Sequence, residues 1–312
     1  MLAVKSISHN NSIIFRRSLR LMGDQFEISV VGNNPSWADE RIADAVAEIN
    51  RVEKLLSAFS EDSAINTINR NAGIKPVKTN AEIFKLIDRA LQISELTYGA
   101  FDITYLTADK DNNSDNQNGG IAVKTAVKVS YKNVEIDAAA QTVFLKEPGM
   151  RISFAANGKG YAADRAKYIL QLQGVSGGVI NSGGDLLTWG LQPDNEPWTV
   201  ATADPSQENV PFANVDISNM AVATSVNTDK HATVIDKKLL GSFNPKKGFP
   251  VSKIKSVSIM STTAEFADAM ATPVLSIGIN AGLYLINQLN QMAAVIIDDH
   301  DRVYTSKNIS IN

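Results

Sequence analysis

Apolar and polar residues alternate from Ser12 to Gly32. This period-two pattern predicts two β-strands, separated by a turn near Met22-Gly23-Asp24. Further along, Ser36 and Asp39 are predicted to form an N-terminal capping box. Apolar residues then recur at helical spacing, which predicts a helix. The stripe that this helix is expected to bury consists of Ile42, Val46, Ile49, Val52, Leu56 and Phe59.

A second helix is predicted to begin after Asn80, a favoured N-cap residue, and to end near Gly99. The segment from about residue 107 to 120 is polar and aperiodic, which predicts a mobile surface loop. Beyond it, strand and helix patterns follow one another irregularly, and the helix predicted from Gly160 to Leu172 is closed by Gly174. An irregular order of strands and helices is typical of the α+β class.

The composition narrows the classes of function. The 312 residues are 44% hydrophobic, which is enough for a sizeable core. Because 30 basic residues stand against 33 acidic ones, no broad cationic surface is expected and a nucleic-acid partner is not predicted. The absence of cysteine excludes disulfides and thiolate chemistry. No apolar run reaches the roughly 18 residues of a membrane span. The first residues lack a signal-peptide core, although a removed signal stays an alternative and the localisation is left open.

The segment NGKGYAAD, residues 157 to 164, places a lysine between two glycines at the predicted start of a helix. Free backbone N–H groups and the positive end of the helix dipole favour an anion there, and Lys159 adds a positive charge. A phosphate site and a plain turn between a strand and a helix both fit this pattern. The segment is not a P-loop, because Gly160 stands where the P-loop needs Ser or Thr.

Three further patterns carry candidate chemistry. The GGD at residues 183 to 185 either lets a ligand or another backbone approach closely or forms a tight turn. Asp268 and Thr272 lie on one face of a predicted helix, where they either share a hard cation such as Mg²⁺ or form an intrahelical hydrogen bond. The run DDHD, residues 298 to 301, has the composition of a metal cluster, but it lies between two strand patterns and is interpreted as a hairpin turn.

Taken in chain order, eight segments resemble the ApbE family of flavin transferases, the FAD:protein FMN transferases. They are LMGDQFEISV, EKLLSAFSEDSAINTIN, YGAFDIT, GKGYAAD, GGVINSGGDLLTWG, VATSVN, NPKKGFP and ADAMATPVLSIG. The resemblance covers residues 20 to 306 and implies an ApbE-like (T-fold-like) α+β fold, with mixed sheets flanked by helices in a single compact unit. Residues 1 to 19 would be an N-terminal extension or the first strand, and residues 307 to 312 a C-terminal tail.

The resemblance also implies an enzyme with FAD as its substrate and Mg²⁺ as its cofactor. FMN would be attached through a phosphoester to a Thr or Ser of an acceptor flavoprotein, and AMP would be released. Relatives are commonly exported to the periplasm, and membrane contact is expected only through a partner or an anchor missing from this sequence. Mg²⁺ would be bound by the Gly158 backbone carbonyl, Asp268 and Thr272, and catalysis would depend on Asp268. The cofactor contacts would be Met22, Phe59, Ala100, Phe101, Asp102, Ala155, Lys159, Tyr161 and Ser242.

The chain departs from the family pattern at several positions. Gly241-Ser242-Phe243-Asn244-Pro245 stands where many relatives read His-x-x-Asp-Pro, so an imidazole that could act as a general base is missing. Ser153 replaces a usual aspartate, and Val226-Asn227 replaces a step that usually contains glycine. Two alternatives therefore stay open: a catalytically impaired FAD-binding relative, and an Mg²⁺-dependent FAD pyrophosphatase that yields FMN and AMP.

Overall fold

The computed structural model of the protein describes residues 12–106, 129–203, 211–227, 254–307 and 309. Its strands are β1 (Ile13–Leu21), β2 (Asp24–Gly32), β3 (Val77–Lys78), β4 (Thr104–Leu106), β5 (Val134–Asp137), β6 (Thr142–Leu145), β7 (Met150–Ile152), β8 (Gly178–Ser182), β9 (Asp185–Trp189), β10 (Thr199–Ala203), β11 (Pro211–Asp216), β12 (Ala221–Val226), β13 (Ile254–Ser261), β14 (Met292–Asp298) and β15 (Val303–Thr305). Its helices are α1 (Pro35–Leu56), α2 (Ala64–Arg70), α3 (Ala81–Leu96), α4 (Gly158–Leu172), α5 (Ala264–Ile277) and α6 (Ile279–Ile286), with a short 3₁₀ helix at Tyr131–Asn133.

Contacts along the chain divide these elements between two compact units. The first unit takes the described residues of Met1–Glu53, Asn157–Val226 and Lys253–Asn312. The second takes those of Lys54–Ala156 and Asn227–Ser252. No helix within the described ranges is both long enough and apolar enough to cross a bilayer.

An eight-stranded sheet forms the centre of the first unit, in the order β1-β2-β8-β9-β12-β13-β14-β15. Each of its neighbouring pairs is antiparallel. Every residue of β14 is buried, so this strand is covered on both faces. On one of these faces a core cluster is formed by Ile217, Val222, Met260, Ala293 and Val295. A separate two-stranded sheet pairs β10 with β11.

Two hairpins of this sheet have two-residue turns at the same end of the sheet. Leu21 pairs with Asp24 across the turn Met22-Gly23, and Ser182 pairs with Asp185 across Gly183-Gly184. All four turn residues have a positive φ, as the tightest hairpin turns require. Because Phe26 of β2 pairs with Ser182 of β8, the two turns lie side by side.

Helices α4 and α5 are in close contact, and α5 also packs against β12 and β13. Gly160 makes this approach possible, because a Cβ atom at that position would lie 2.4 Å from the carbonyl oxygen of Ala264. Asp164 of α4 holds the first turn of α5, since its carboxylate accepts hydrogen bonds from the N–H groups of Ala264 at 2.9 Å and Glu265 at 2.8 Å. The start of α5 is therefore fixed to α4 by packing and by hydrogen bonds.

The second unit contains α2 and α3 with two small antiparallel sheets, β3-β6-β5 and β4-β7. Asn69 of α2 is buried, and its side chain exchanges two hydrogen bonds with the backbone of Ile152 in β7, at 2.8 and 3.0 Å. Asn80 is the N-cap of α3, as the sequence predicts, and its side chain accepts a hydrogen bond from Ile83 N at 2.8 Å.

Replacing Asn80 with alanine is expected to lower the free energy of unfolding by about 1 kcal/mol, the usual effect of losing an N-cap acceptor. Urea unfolding followed by circular dichroism measures this loss. Asn80→Ser is the matched control, because it keeps an acceptor oxygen and should lose much less. Equal stability of the alanine variant and the wild type would show that the cap contributes nothing.

The predicted α+β class is confirmed, with the refinement that the described strand pairs are antiparallel and that contacts define two units. The capping box at Ser36 and Asp39 is wrong. The helix begins at Pro35, and the side chain of Asn34 accepts from Trp37 N at 3.1 Å, because proline suits a first helical position that has no N–H partner. The predicted apolar stripe also ends earlier than expected, since α1 stops at Leu56 and Phe59 is 88% exposed.

Candidate functional site

Charged side chains gather at the end of the main sheet where the two glycine-containing turns lie. Lys159 is the second residue of α4, and its ammonium group donates a hydrogen bond to Asp24 Oδ2 at 2.8 Å. The bond with Lys159 lowers the pKa of the Asp24 carboxyl. Burial is the largest single influence on Lys159 and works against its charge. The hydrogen bond and charge of Asp24, together with the charges of Asp268 and Asp185, outweigh burial and raise the pKa of the ammonium. Both groups are therefore charged at neutral pH.

Gly183 explains part of the GGD pattern. A Cβ atom at this position would lie 2.5 Å from Asp24 Oδ2, so only glycine lets that carboxylate approach the turn. The side chain of Asn181 accepts from Gly184 N at 2.9 Å, and Asp185 accepts from Thr224 N of β12 at 3.0 Å. The tight-turn interpretation of this segment is thus confirmed, and the turn also admits a carboxylate from the neighbouring hairpin.

Asp268 of α5 belongs to the same group of charges. The backbone N–H of Gly160 points toward Asp268 Oδ2 at 3.4 Å, which is a long hydrogen bond. Burial, followed by the negative charge of Asp185, raises the pKa of Asp268 to about 7. Lys159 attracts Asp268, but its own ion pair is with Asp24. Burial and the charge of Asp185 therefore disfavour the ionised form of Asp268, and a further positive charge nearby would stabilise that form.

Thr272 lies one turn beyond Asp268 on α5. Its hydroxyl shares a hydrogen bond with Ser225 Oγ of β12 at 2.9 Å. The two side chains therefore contact different elements, α4 for Asp268 and β12 for Thr272.

The donor set at this end of the sheet fits Mg²⁺. A carboxylate, a hydroxyl and a backbone carbonyl are the hard oxygen ligands that Mg²⁺ accepts. Asp268 offers the carboxylate, Thr272 the hydroxyl and Gly158, the first residue of α4, the carbonyl. A cation beside Asp268 would offset the burial and the like charge that raise its pKa.

The contact between Asp164 and α5 predicts a pH effect on stability. Burial raises the pKa of Asp164 to about 6 in the folded protein, against about 3.9 in an unfolded chain. Between these two pKa values the folded state binds more protons than the unfolded state. The contribution of Asp164 to stability therefore falls as the pH rises from about 4 to about 6, and it is constant at higher pH. Urea unfolding of wild type and Asp164→Asn across this range should show a difference that changes by up to about 3 kcal/mol.

The asparagine variant is the internal control of that comparison, because it keeps the size and an acceptor oxygen but does not titrate. A constant difference between the two proteins across the range would mean that the pKa of Asp164 is not raised.

Several candidate residues lie in the second unit, around the start of β4 and after the end of α1. The Asp102 carboxylate accepts from Thr104 N and Tyr131 N, each at 2.9 Å, and burial raises its pKa. Phe101 is buried, whereas Phe59 stands exposed to solvent. The candidate residues Ala100 and Ala155, in the same unit, are exposed.

In the first unit, Met22 is a turn residue with φ 52°, next to Gly23 and Asp24. Tyr161 is buried in the first turn of α4, where its N–H bonds to the carbonyl of Asn157 at 3.0 Å. Ser242, the altered segment from Gly241 to Pro245 and the predicted loop at residues 107 to 120 lie outside the described residues.

The DDHD run is a hairpin turn, as predicted. Asp298, Asp299 and His300 place potential ligand atoms within 4.8 Å of one another. The Asp298 carboxylate, however, accepts hydrogen bonds from His300 N, from Arg302 N and from the Arg302 side chain. These bonds close the turn between β14 and β15 and occupy the one buried carboxylate of the group.

The sequence patterns missed two residues of the first unit. The local pattern places Asp24 only in a turn, although an acidic residue beside a glycine turn at the end of a strand can reach a neighbouring hairpin. Asn157 belongs to the NGKGYAAD segment, whose pattern predicts no separate role for it. It is fully buried, and neither polar atom of its side chain has a hydrogen-bond partner among the residues that the structure describes.

Comparison with known proteins agrees with the resemblance carried by the eight segments. A model of the ApbE family matches residues 22–296. A FAD:protein FMN transferase of Klebsiella pneumoniae is 26% identical over 271 residues, which cover 83% of this chain and 77% of that protein. A second Klebsiella pneumoniae protein of that name is 26% identical over 307 residues, covering 96% of this chain and 91% of its own.

Solved structures show the same fold. An ApbE protein from Thermotoga maritima has a TM-score of 0.74 at 24% identity, covering 94% of this chain and 97% of its own. The flavin transferase ApbE from Vibrio cholerae has a TM-score of 0.75 at 20% identity, with coverage of 95% and 98%.

The relatives place the chain in the transferase class of enzymes, as the sequence predicts. The family match covers most of the chain. The chain belongs to the ApbE family.

Proposed function

We propose that the chain is an Mg²⁺-dependent FAD:protein FMN transferase, which attaches FMN through a phosphoester to a Thr or Ser of an acceptor flavoprotein and releases AMP. Family membership supports the donor and the transfer. The observation that carries the Mg²⁺ dependence is the pair formed by Asp268 and Thr272, held beside the N-terminus of α4 and near the charges of Lys159 and Asp185.

The reaction exchanges one phosphate bond for another. The hydroxyl oxygen of the acceptor forms a bond to the phosphorus of the FMN half of FAD, and the bond from this phosphorus to the AMP oxygen breaks. AMP leaves with the electron pair, and the hydroxyl proton passes to solvent or to a base. Charge develops on the leaving phosphate, so catalysis depends chiefly on positive charge and on alignment.

Residues of the first unit are proposed to supply both. Gly158, Asp268 and Thr272 would hold Mg²⁺, which when bound neutralises charge on the diphosphate. The ammonium of Lys159 and the N-terminal N–H groups of α4 add positive potential at the same place. Lys159 is held by Asp24, so its charge is already positioned before a ligand arrives.

The remaining cofactor contacts are proposals for each unit taken by itself. In the first unit they are Met22 and Tyr161. Ser242 is proposed from the family pattern alone. In the second unit the exposed ring of Phe59 offers a surface on which a flat ring can stack. The other proposed contacts of that unit are Ala100, Phe101, Asp102 and Ala155.

The decisive experiment is the intact mass of a threonine-bearing acceptor domain from a flavin-carrying electron-transfer subunit. The domain is incubated with this protein, FAD and Mg²⁺. A mass gain of one FMN less one water, which does not arise when a chelator is present during the incubation, supports the proposal. Free FMN and AMP without a mass gain would instead identify a pyrophosphatase, and FAD binding without AMP release a relative that only binds flavin.

A further inference from the structure

Asp24 is held in a fixed place through both of its carboxylate oxygens. Oδ1 accepts a hydrogen bond from Gln25 N at 2.8 Å, and Oδ2 accepts one from the Lys159 ammonium at 2.8 Å. The carboxylate lies against the turn at Gly183, where a Cβ atom would come within 2.5 Å of Oδ2. The missing side chain of Gly183 therefore leaves the space in which Asp24 meets Lys159.

The ion pair formed by Asp24 and Lys159 is accessible to a ligand. The side chain of Lys159 is 29% exposed and that of Asp24 is 41% exposed. Asp24 also lines an open surface hollow of about 470 Å³, together with Arg20 and Gln25. Because Lys159 is the second residue of α4, an anion that approaches the N-terminus of this helix meets the ion pair and not an isolated ammonium group.

Three carboxylates act on the Lys159 ammonium. It donates a hydrogen bond to Asp24, and the charges of Asp268 and Asp185 attract it as well. Two opposite charges in direct contact act on a more distant group as a dipole, so Asp24 offsets most of the charge of Lys159 beyond the pair itself. Lys159 can still donate its remaining N–H groups to a phosphate oxygen, but it has little net charge with which to attract one.

The pair therefore treats two forms of FAD differently. Metal-free FAD carries negative charge on its diphosphate, and it has to compete with Asp24 for the same ammonium group. A diphosphate that binds together with Mg²⁺ is neutral overall, so it does not need to displace Asp24 from Lys159. The charge of Asp24 thus penalises the metal-free form more than the form that carries the cation.

We propose that Asp24 makes tight FAD binding depend on Mg²⁺, because its pairing with Lys159 takes away the free ammonium charge that a metal-free diphosphate would need. This role of Asp24 rests on the proposed function and deepens it, since it names the residue that selects Mg²⁺-bound FAD over metal-free FAD. Without the carboxylate, Lys159 is free to pair with the diphosphate itself, and the chain accepts FAD without the cation.

The test is calorimetric titration of FAD into wild type and Asp24→Asn, once with saturating Mg²⁺ and once with chelator. Asparagine has the same shape and can still accept from Gln25 N, so the turn is kept. With chelator, the dissociation constant of Asp24→Asn is expected to be about threefold to tenfold lower than that of wild type, the usual size of one charge interaction at a half-exposed site. With Mg²⁺ the two proteins should agree within about twofold.

A second background shows whether the gain comes from the freed ammonium. In Lys159→Gln, the further change Asp24→Asn should alter FAD affinity with chelator by less than about twofold, because no ammonium is left to be freed. An ionic strength of about 0.15 M suits this comparison, since it screens charges that are not in contact. Asp24→Ser, which is also uncharged, repeats the test if the asparagine variant does not fold.

The matched control is Asp299→Asn, which removes the same charge from the exposed turn between β14 and β15, beside His300, and should leave both dissociation constants unchanged. The role of Asp24 is overturned if wild type needs Mg²⁺ for tight FAD binding and Asp24→Asn keeps the ratio of the two dissociation constants within about twofold. It is also overturned if neither protein binds FAD with chelator, or if the gain is as large without Lys159. If wild type binds FAD equally well with Mg²⁺ and with chelator, the Mg²⁺ dependence in the proposed function itself fails.

Discussion

Replacing Asp268 with alanine is expected to abolish Mg²⁺-dependent release of AMP from FAD, a loss of at least about a thousandfold, while the protein stays folded. Removing a metal ligand from an active site takes away the charge that stabilises the leaving phosphate, which is why a large loss is expected. The fold should tolerate the change, because the lost carboxylate is partly buried beside the like charge of Asp185. AMP release measured by chromatography, with thermal unfolding of the ligand-free protein, tests both parts.

Two further variants make this result specific. Asp299→Ala removes one exposed carboxylate from the hairpin turn and should leave AMP release unchanged. Thr272→Val should impair AMP release strongly, whereas Thr272→Ser keeps the hydroxyl and should retain much of it. Undiminished turnover by Asp268→Ala would exclude Asp268 from the metal site and would leave the Mg²⁺ dependence without its carboxylate.

Gly160→Ala is expected to destabilise the protein strongly. The new Cβ atom would meet backbone atoms of Ala264 and Glu265 at 2.4 to 2.8 Å, and backbone cannot move aside as a flexible side chain can. Helix α5 must shift, at a cost of about 3 kcal/mol or more. The shift also moves Asp268, which contacts Gly160 N, so FAD affinity in the presence of Mg²⁺ should fall in the same variant.

Gly174→Ala at the other end of α4 is the matched control. Gly174 has φ +83° and no atom within 4 Å of an added Cβ, so its substitution costs only the left-handed backbone conformation, about 1 kcal/mol. FAD affinity should not change. Urea unfolding and FAD titration of the two variants separate the cost of the clash with α5 from the cost of backbone strain. If Gly160→Ala is as stable as Gly174→Ala, α4 and α5 move apart easily.

Much of the fold can be read from the sequence, because local patterns determine local elements. The alternation before and after Met22-Gly23 predicts the first hairpin, and Asn80 predicts the start of α3. The error at Ser36 arises because Asn34 followed by Pro35 is an equally good start, and only the three-dimensional contacts of the first turn decide between them. Phe59 continues a helical spacing in the sequence, but the helix has already ended.

The site is less predictable for a physical reason. Lys159, Asp268 and Thr272 are recognisable from their local spacing, but the ion pair of Lys159 with Asp24 joins residues 135 positions apart. No periodic pattern in the sequence indicates a contact between residues so far apart. Asn157 is harder still, because its notable property is the lack of a partner, which exists only once the chain is folded. Resemblance to a family supplied the proposed metal and cofactor residues, whereas the contacts particular to this chain required the structure.

The bonds from Asp164 to the first turn of α5 have a consequence for motion. Helix α4 carries both Asp164 and Gly160, and Gly160 fits against the same first turn of α5. Helix α5 therefore cannot leave the sheet without disturbing α4. Local opening events in proteins involve groups of elements that separate together. We therefore expect the amide hydrogens at the start of α5 to be protected from exchange for as long as α4 stays folded, and the two helices that carry Lys159 and Asp268 to open as one cooperative segment.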